Sequence, residues 1–225
     1  MTTPAMRRYA AEIYRLQQDL AQVGLSELSS AVAASLQATS RMVGRMKDLG
    51  YLEHELYHGV RLTREGERIA MPALRRHRLV EVFLVRVMKY GWDEVHDLSD
   101  QFELGINDHL EDRLDELADH PTRCPHGEPI PSKDGVMPSV RDTSLLNLNP
   151  VTRCRISRVR THNPDELRYF AELGLVPQVE FELRHRAPSK GPFRIQFGRR
   201  EHVLGYDLAA ALYVERVSAP SEVTG

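Results

Sequence analysis

His77 and Glu81 stand four residues apart, so on a helix both side chains rise from one face. His96, Asp100 and Glu103 extend the same arrangement to i, i+4 and i+7. Imidazole with carboxylate is the donor mix that suits divalent manganese, iron, cobalt or zinc. The same spacings also describe a surface ion pair and a solvated acidic face. Cys124-Pro125-His126-Gly127 puts a soft sulfur two residues from an imidazole. That pair either chelates one ion or buries a thiol beside a loop histidine. Three such groups on consecutive segments point to one class of chemistry, a bound divalent transition metal. Cys154 lies in an alternating apolar stretch and is expected in a core, while His54, His109, His120, His185 and His202 have no close partner.

A helical frame must hold these groups. Residues 5–23 have apolar positions at helical spacing and are expected to form a helix stopped by Gly24. Ser26 is expected to cap a short helix, and Ser35 a longer one carrying Leu36, Thr39, Met42, Val43, Met46 and Leu49. Two extended segments, 51–56 and 60–63, flank Tyr57-His58-Gly59 and read as a hairpin. Helix, helix-turn-helix, hairpin and helix in this order form a winged helix-turn-helix. Pro72 marks a joint, after which 73–90 form a second, strongly apolar helix that calls for cover by a partner subunit. Asp93 is expected to cap a helix burying Val95, Leu98 and Phe102, with Ile106, Leu110, Leu114 and Leu117 continuing the pattern to Asp119.

Six prolines between 120 and 150 suggest a linker. Beyond it, four alternating segments (151–159, 179–185, 192–197 and 211–217) surround a helix at 164–173, as in a small SH3-like β domain. The fold is therefore mainly α with β. It comprises a winged helix over 1–72, a helical metal-binding and dimerisation domain over 73–147, and an SH3-like β domain over 148–225.

The longer helix of the helix-turn-helix presents Gln37, Ala38, Ser40, Arg41, Arg45 and Lys47 outward, beginning at Ser35. Gln and Arg have the bidentate geometry that reads base edges, and Ser40 and Lys47 suit phosphates. His58 and Arg61 sit where a wing meets the DNA backbone. The partner implied is double-stranded DNA. Residues 1–72 are nearly neutral, which makes pairing of two reading heads more necessary. The middle segment, 73–147, holds 15 acidic against 9 basic residues, most of the acid lying between Asp93 and Asp119. Such a cluster fits a solvated helix face or a cation.

Across the whole 225-residue chain the net charge is only −2. No apolar run approaches the roughly 20 residues of a membrane span. The N-terminus lacks the apolar core of a secretory signal, so a cytoplasmic protein without a membrane partner is expected. Two cysteines do not make a disulfide framework. No HExxH motif, nucleophile elbow or phosphate loop is present, and the ligand candidates follow a reading head; a regulator rather than an enzyme is expected. A metal-dependent hydrolase, and a winged-helix regulator answering an organic ligand, are the alternatives.

Taken together, TTPAMRRYAAEIYRL, GYLEHELYHGVRLTREGERIA, RHRLVEVFL, EVHDLSDQFE, CPHGEPIP and ELRYFAELGLVP resemble segments of the diphtheria toxin repressor family, three-domain type. The resemblance implies a homodimer that binds a palindromic operator when loaded with Mn2+ or Fe2+ (Zn2+, Co2+ or Cd2+ being further possibilities) and controls metal-uptake genes, with no small organic substrate. It also implies two metal sites. One draws on Glu81, Cys124 and His126, with His77 and His96 nearby and an acid from 163–166, for which Asp165 is preferred over Glu166. The other joins the N-terminal helix to Asp100 and Glu103. There the chain departs from the family at Arg8, Ala11 and Leu104. Arg8 facing the acids could replace that metal with a salt bridge, leaving the site absent or rebuilt from Glu12.

Overall fold

The computed structural model describes residues 2–55, 58–102 and 105–217. Helix α1 (Pro4–Leu16) opens where Thr3 accepts the Met6 N–H through its side chain, and Pro4 in the first turn loses no hydrogen bond. It ends well before the expected stop at Gly24. Val23 instead exchanges two 2.9 Å backbone hydrogen bonds with Val60, adding a short extended edge to the wing. Gly24, not Ser26, precedes α2 (Leu25–Ala31), and Glu27 accepts its N–H at 2.9 Å. Ser35 caps α3 (Leu36–Asp48) as expected. Thr39, Val43 and Met46 are buried, while Leu36 and Leu49 at the two ends are about half exposed.

Strands β1 (Leu52–Glu55) and β2 (Gly59–Leu62) pair antiparallel, with Leu52 opposite Leu62 and Glu55 opposite Gly59. Gly59 therefore belongs to the strand rather than to the turn. Its φ is +118°, and a Cβ there would fall 2.4 Å from the Val23 carbonyl oxygen, so only glycine lets the wing close on residue 23.

The expected joint at Pro72 is not a break. Helix α4 runs unbroken from Arg64 to Arg86 with Pro72 inside it. Proline removes the hydrogen bond to the Arg68 carbonyl, but Arg68 is exposed and water can serve that oxygen. Ile69, Ala70, Met71 and Leu74 on both sides of it are locked into the core of the reading head. Further along, Leu79 and Val82 enter a second cluster, and Val80 and Leu84 a third. One helix thus spans the head and the middle of the chain.

Helices α5 (Val95–Phe102) and α6 (Asp108–Leu117) pack on α4. Val95 and Ser99 are the buried residues of α5; Phe102, expected inward, is half exposed, as are Leu110 and Leu117 of α6. Part of the acid of α6 is spent on α4: Glu111 binds Arg75 at 2.9 Å and Arg76 at 2.8 Å, and Asp115 lies 3.2 Å from Arg75.

The proline-rich stretch is a packed irregular segment, not a solvated linker. Pro121, Cys124, His126, Pro129, Ile130 and Pro131 are all buried. Prolines offer no N–H but keep their carbonyls, and buried arginines of α4 use them: Arg75 donates to Pro131 O at 3.0 Å and Arg78 to Pro129 O. Residues 124–127 form a turn, with the Gly127 N–H on the Cys124 carbonyl at 2.9 Å.

The C-terminal unit is an antiparallel six-stranded sheet. Its strands are β3 (Thr143–Ser144), β4 (Thr152–Val159), β5 (Glu180–Arg186), β6 (Phe193–Phe197), β7 (Arg200–Leu204) and β8 (Leu212–Arg216), in the order β3-β8-β4-β5-β6-β7. Helices α7 (Pro164–Leu173) and α8 (Tyr206–Ala211) complete it. The four expected strands are present; β3, β7 and α8 were not foreseen. Cys154 is fully buried in this core, as expected.

Gly127 has φ +90°, and a Cβ would sit 2.1 Å from the Ser157 carbonyl of β4. Gly127→Ala should therefore lower stability by more than the ~1–3 kcal/mol of an unfavourable φ alone, read as a drop in thermal midpoint of the metal-free protein. A midpoint equal to wild type would contradict this close packing.

Candidate metal centre and DNA-reading face

α4 supplies His77 and Glu81, 1% and 2% exposed, which rules out a surface pair. Their separation is 3.1 Å from His77 Nε2 to Glu81 Oε1. The first turn of α5 brings His96, whose Nδ1 lies 3.2 Å from His77 Nε2 and 3.3 Å from Glu81 Oε1. From the other side the 124–127 turn delivers His126 Nδ1, 3.5 Å from the same Glu81 oxygen and 3.9 Å from Cys124 Sγ. Two donor groups thus share Glu81: His77, Glu81 and His96, and Glu81, Cys124 and His126.

Bonds of about 2.0–2.3 Å to N, O and S put neighbouring donors on one ion roughly 3–4 Å apart. The observed separations fall in that range, so the donor sets fit a divalent cation. The tautomer is also set. His126 Nε2 lies 2.8 Å from the Trp92 carbonyl, which can only accept, so Nε2 carries the proton and Nδ1 is the atom offered to a metal. The His126 carbonyl in turn accepts the Val159 N–H at 2.9 Å, anchoring the turn to β4.

Electrostatics sharpen the picture. Burial opposes charge on Glu81, but the His126 and His77 imidazoles outweigh it and hold its carboxyl well below the usual carboxylate range. Burial likewise opposes a proton on His126, yet the Glu81 charge raises its pKa well above that of an ordinary imidazole. Burial, seconded by Glu81, pushes the Cys124 thiol up.

The other expected ligands fare differently. Asp165 is not in the cluster: its side chain is 85% exposed and pairs with Arg168, while its N–H is bound by Asn163. An acid in the first turn of α7 serves that helix terminus instead. The C-terminal unit reaches the centre through His162, whose ring stacks on His96 at 3.9 Å. His162 does not stand out in the sequence, because the neighbouring acids Asp165 and Glu166 are the donors its segment offers first. Trp92 contributes through its backbone carbonyl, which no residue type signals. His120, expected to lack a partner, lies 2.9 Å from Asp115.

Asp100 stands apart from both donor groups. Its Oδ1 lies 3.0 Å from His77 Nδ1 and its Oδ2 3.7 Å from Arg8 Nη2. Burial would raise its pKa, but His77 prevails and lowers it to about 2. Glu103 and Leu104 lie outside the described residues. Glu12 is engaged by Arg15, and Ala11 has no donor. The side chains described between α1 and α5 therefore do not fit a second ion.

On the reading head, Gln37, Ser40, Arg41, Arg45 and Lys47 are exposed along α3, with Ala38 half-buried among them. Ser35 is spent on the cap. His58 and Arg61 are exposed on the wing. Thr39, on the inner face, meets Tyr9 of α1, their hydroxyls 3.3 Å apart.

A winged head, a helical unit with a buried N/O/S donor cluster and a small β domain define a metal-responsive transcription regulator. The chain belongs to the iron-dependent repressor family, also named for the diphtheria toxin repressor. Residues 1–60 match its N-terminal DNA-binding domain, 63–132 its metal-binding and dimerisation domain, and 143–216 the FeoA domain. It is 29% identical to the iron-dependent repressor IdeR of Mycobacterium leprae over 92% of this chain and 96% of that protein. It is 30% identical to the transcriptional regulator MntR of Bacillus pumilus, over 52% of this chain and 81% of that one. A manganese-dependent transcriptional repressor solved with manganese superposes at a TM-score of 0.87, with 29% identity, over 94% of this chain and all of that one. Among the described residues no helix is long and apolar enough to cross a membrane.

The pKa directions fix the sign of a pH effect. Below its raised pKa His126 holds a second proton, and below its raised pKa Cys124 is a thiol; a metal must displace both. Mn2+ affinity should therefore rise between about pH 6 and 8, its logarithm gaining up to about two units per pH unit. Calorimetric titration in buffers of different ionisation enthalpy reads the proton release directly. A pH-independent affinity with no proton release would exclude these ligands.

Proposed function

We propose that the chain is a homodimeric, cytoplasmic regulator. With Mn2+ or Fe2+ bound it holds a palindromic operator and controls genes of metal-ion uptake and homeostasis. The observation that carries the metal part is the convergence of His77, His96, His126 and Cys124 on one buried carboxylate, Glu81. Bound there, the ion would supply fixed positive charge that joins α4, α5 and the 124–127 turn. His77 and His96 would bind on one side of Glu81, Cys124 and His126 on the other, and His162 would cap His96.

The head would read DNA with Gln37, Arg41 and Arg45 at base edges and with Ser40, Lys47, His58 and Arg61 on the backbone. Ser35 and Ala38 would bring the start of α3 close to the groove. No catalytic step is assigned to any of these residues. The proposed domains are 1–72, 73–147 and 148–225, with α4 shared by the first two.

Cys124→Ala and His126→Ala should each weaken Mn2+-activated operator binding at least about tenfold, measured as the ratio of affinities with metal and with chelator. Activation equal to wild type in both variants would refute the assignment. A second prediction concerns pairing. Leu110 and Leu117 lie seven residues apart on one face of α6, about half exposed, and a second copy is the proposed cover. Leu110→Glu combined with Leu117→Glu should shift the protein from dimer to monomer by light scattering; an unchanged dimer would place the interface elsewhere.

A further inference from the structure

Asp100 has both carboxylate oxygens committed. One faces His77 Nδ1 at 3.0 Å and the other faces Arg8 Nη2 at 3.7 Å. His77 presents its opposite nitrogen, Nε2, to Glu81 and His96. When Nε2 is a ligand the ring proton must sit on Nδ1, and a carboxylate there fixes both tautomer and ring orientation. Asp100 is therefore placed as an outer partner of a ligand rather than as a ligand. α1 has one acid of its own, Glu12, and that is engaged by Arg15. The position facing Asp100 from α1 is already filled by a permanent cation, the Arg8 guanidinium.

From the metal reading of the Glu81 cluster we infer that His77, Asp100 and Arg8 form a metal-free tie from that centre to the reading head, Asp100 positioning His77 and Arg8 joining α1 to α5 through Asp100. The far end of the tie is mechanical. Arg8 sits beside Tyr9, which is buried in the head's core and whose hydroxyl meets Thr39 on the inner face of the DNA-reading helix. Metal at His77 Nε2 holds the ring, the ring holds Asp100, and Asp100 holds α1 under α3. The tie takes an arginine and an aspartate but no second ion.

The test uses the full-length dimer, with Mn2+ bound per subunit counted by equilibrium dialysis and elemental analysis. Asp100→Ala should keep the wild-type number of ions while weakening Mn2+ affinity about 10–100-fold, and Asp100→Asn, which can still accept from Nδ1, should recover part of it. Arg8→Met should leave ion number unchanged and Mn2+ affinity within a few-fold, yet cut the Mn2+-to-chelator ratio of operator affinities at least about fivefold, roughly 1 kcal/mol of coupling. Taking the ratio cancels any direct contact of Arg8 with DNA, and Arg8→Lys should restore part of it. Loss of a whole ion in Asp100→Ala, or an unchanged ratio in Arg8→Met, overturns the tie. Glu81→Gln separates the two levels. If it leaves Mn2+ binding intact, the centre itself is wrong; if it abolishes binding, a missing ion in Asp100→Ala overturns only the tie.

Discussion

Glu81 is a carboxylate with almost no access to water, and the surrounding architecture answers that one constraint. An isolated charge in such a place is so costly that it would ordinarily give up its ionisation. Here it stays ionised because the His126 and His77 imidazoles outweigh its burial. With His96, three imidazoles stand within 3.5 Å of it, one turn back along α4, from α5, and from the 124–127 turn. Compensation by protons and compensation by a metal cation are interchangeable in charge but not in geometry. A proton on His126 satisfies Glu81 alone, whereas an ion would draw Glu81, His126 and Cys124 together.

Holding five donors to such separations demands stiffness around them. The 124–127 turn obtains it from a backbone hydrogen bond to β4 and from α4 arginines buried on the proline carbonyls that follow it. The C-terminal unit adds further contacts. His162 stacks on His96, and Arg160 reaches Asp19 in the turn after α1 with two bonds of 2.8 and 2.9 Å, its guanidinium also lying over the Tyr213 ring. All three units thus border one cavity of about 290 Å3, lined by Glu12 and Asp19 from the head, His77 and His126 from the middle, and Arg160 and His162 from the β domain.

Local pattern made much of this legible in the sequence. The i, i+4 spacing of His77 and Glu81 needs only a helix to bring the pair together, and the Ser35 cap and alternating strands are equally local signals. Arg8 facing Asp100 follows from the family resemblance rather than from local pattern, since the resemblance implies a ligand where this chain has a cation. What local pattern could not reach was tertiary. Pro72 looks like a break until the apolar residues on both sides are seen locked in one core. The proline-rich stretch looks like a linker because the arginines that bury it lie some fifty residues away. Asp165 has the right chemistry for a ligand, but the start of α7 turns it outward; His162, three residues earlier, reaches the centre instead, through a contact with α5 that only tertiary packing creates.

A centre so nearly preformed raises the question of where regulation enters. A ligand that binds two conformations equally shifts neither, however tightly it binds. If the Glu81 donors kept the same separations in DNA-competent and incompetent states, metal would bind both and control nothing. The discriminating free energy must therefore sit in groups that join the centre to the head and can differ between states. α4 is one such connector, but it is a continuous helix packed along its length, and packed helices shift little for a small change at one end. The contacts of Arg8 with Asp100 and of Arg160 with Asp19 are single ion pairs between units, partly open to water, whose rupture costs far less than unpacking a core. They are the natural hinge points, and both end on α1 or the turn directly after it.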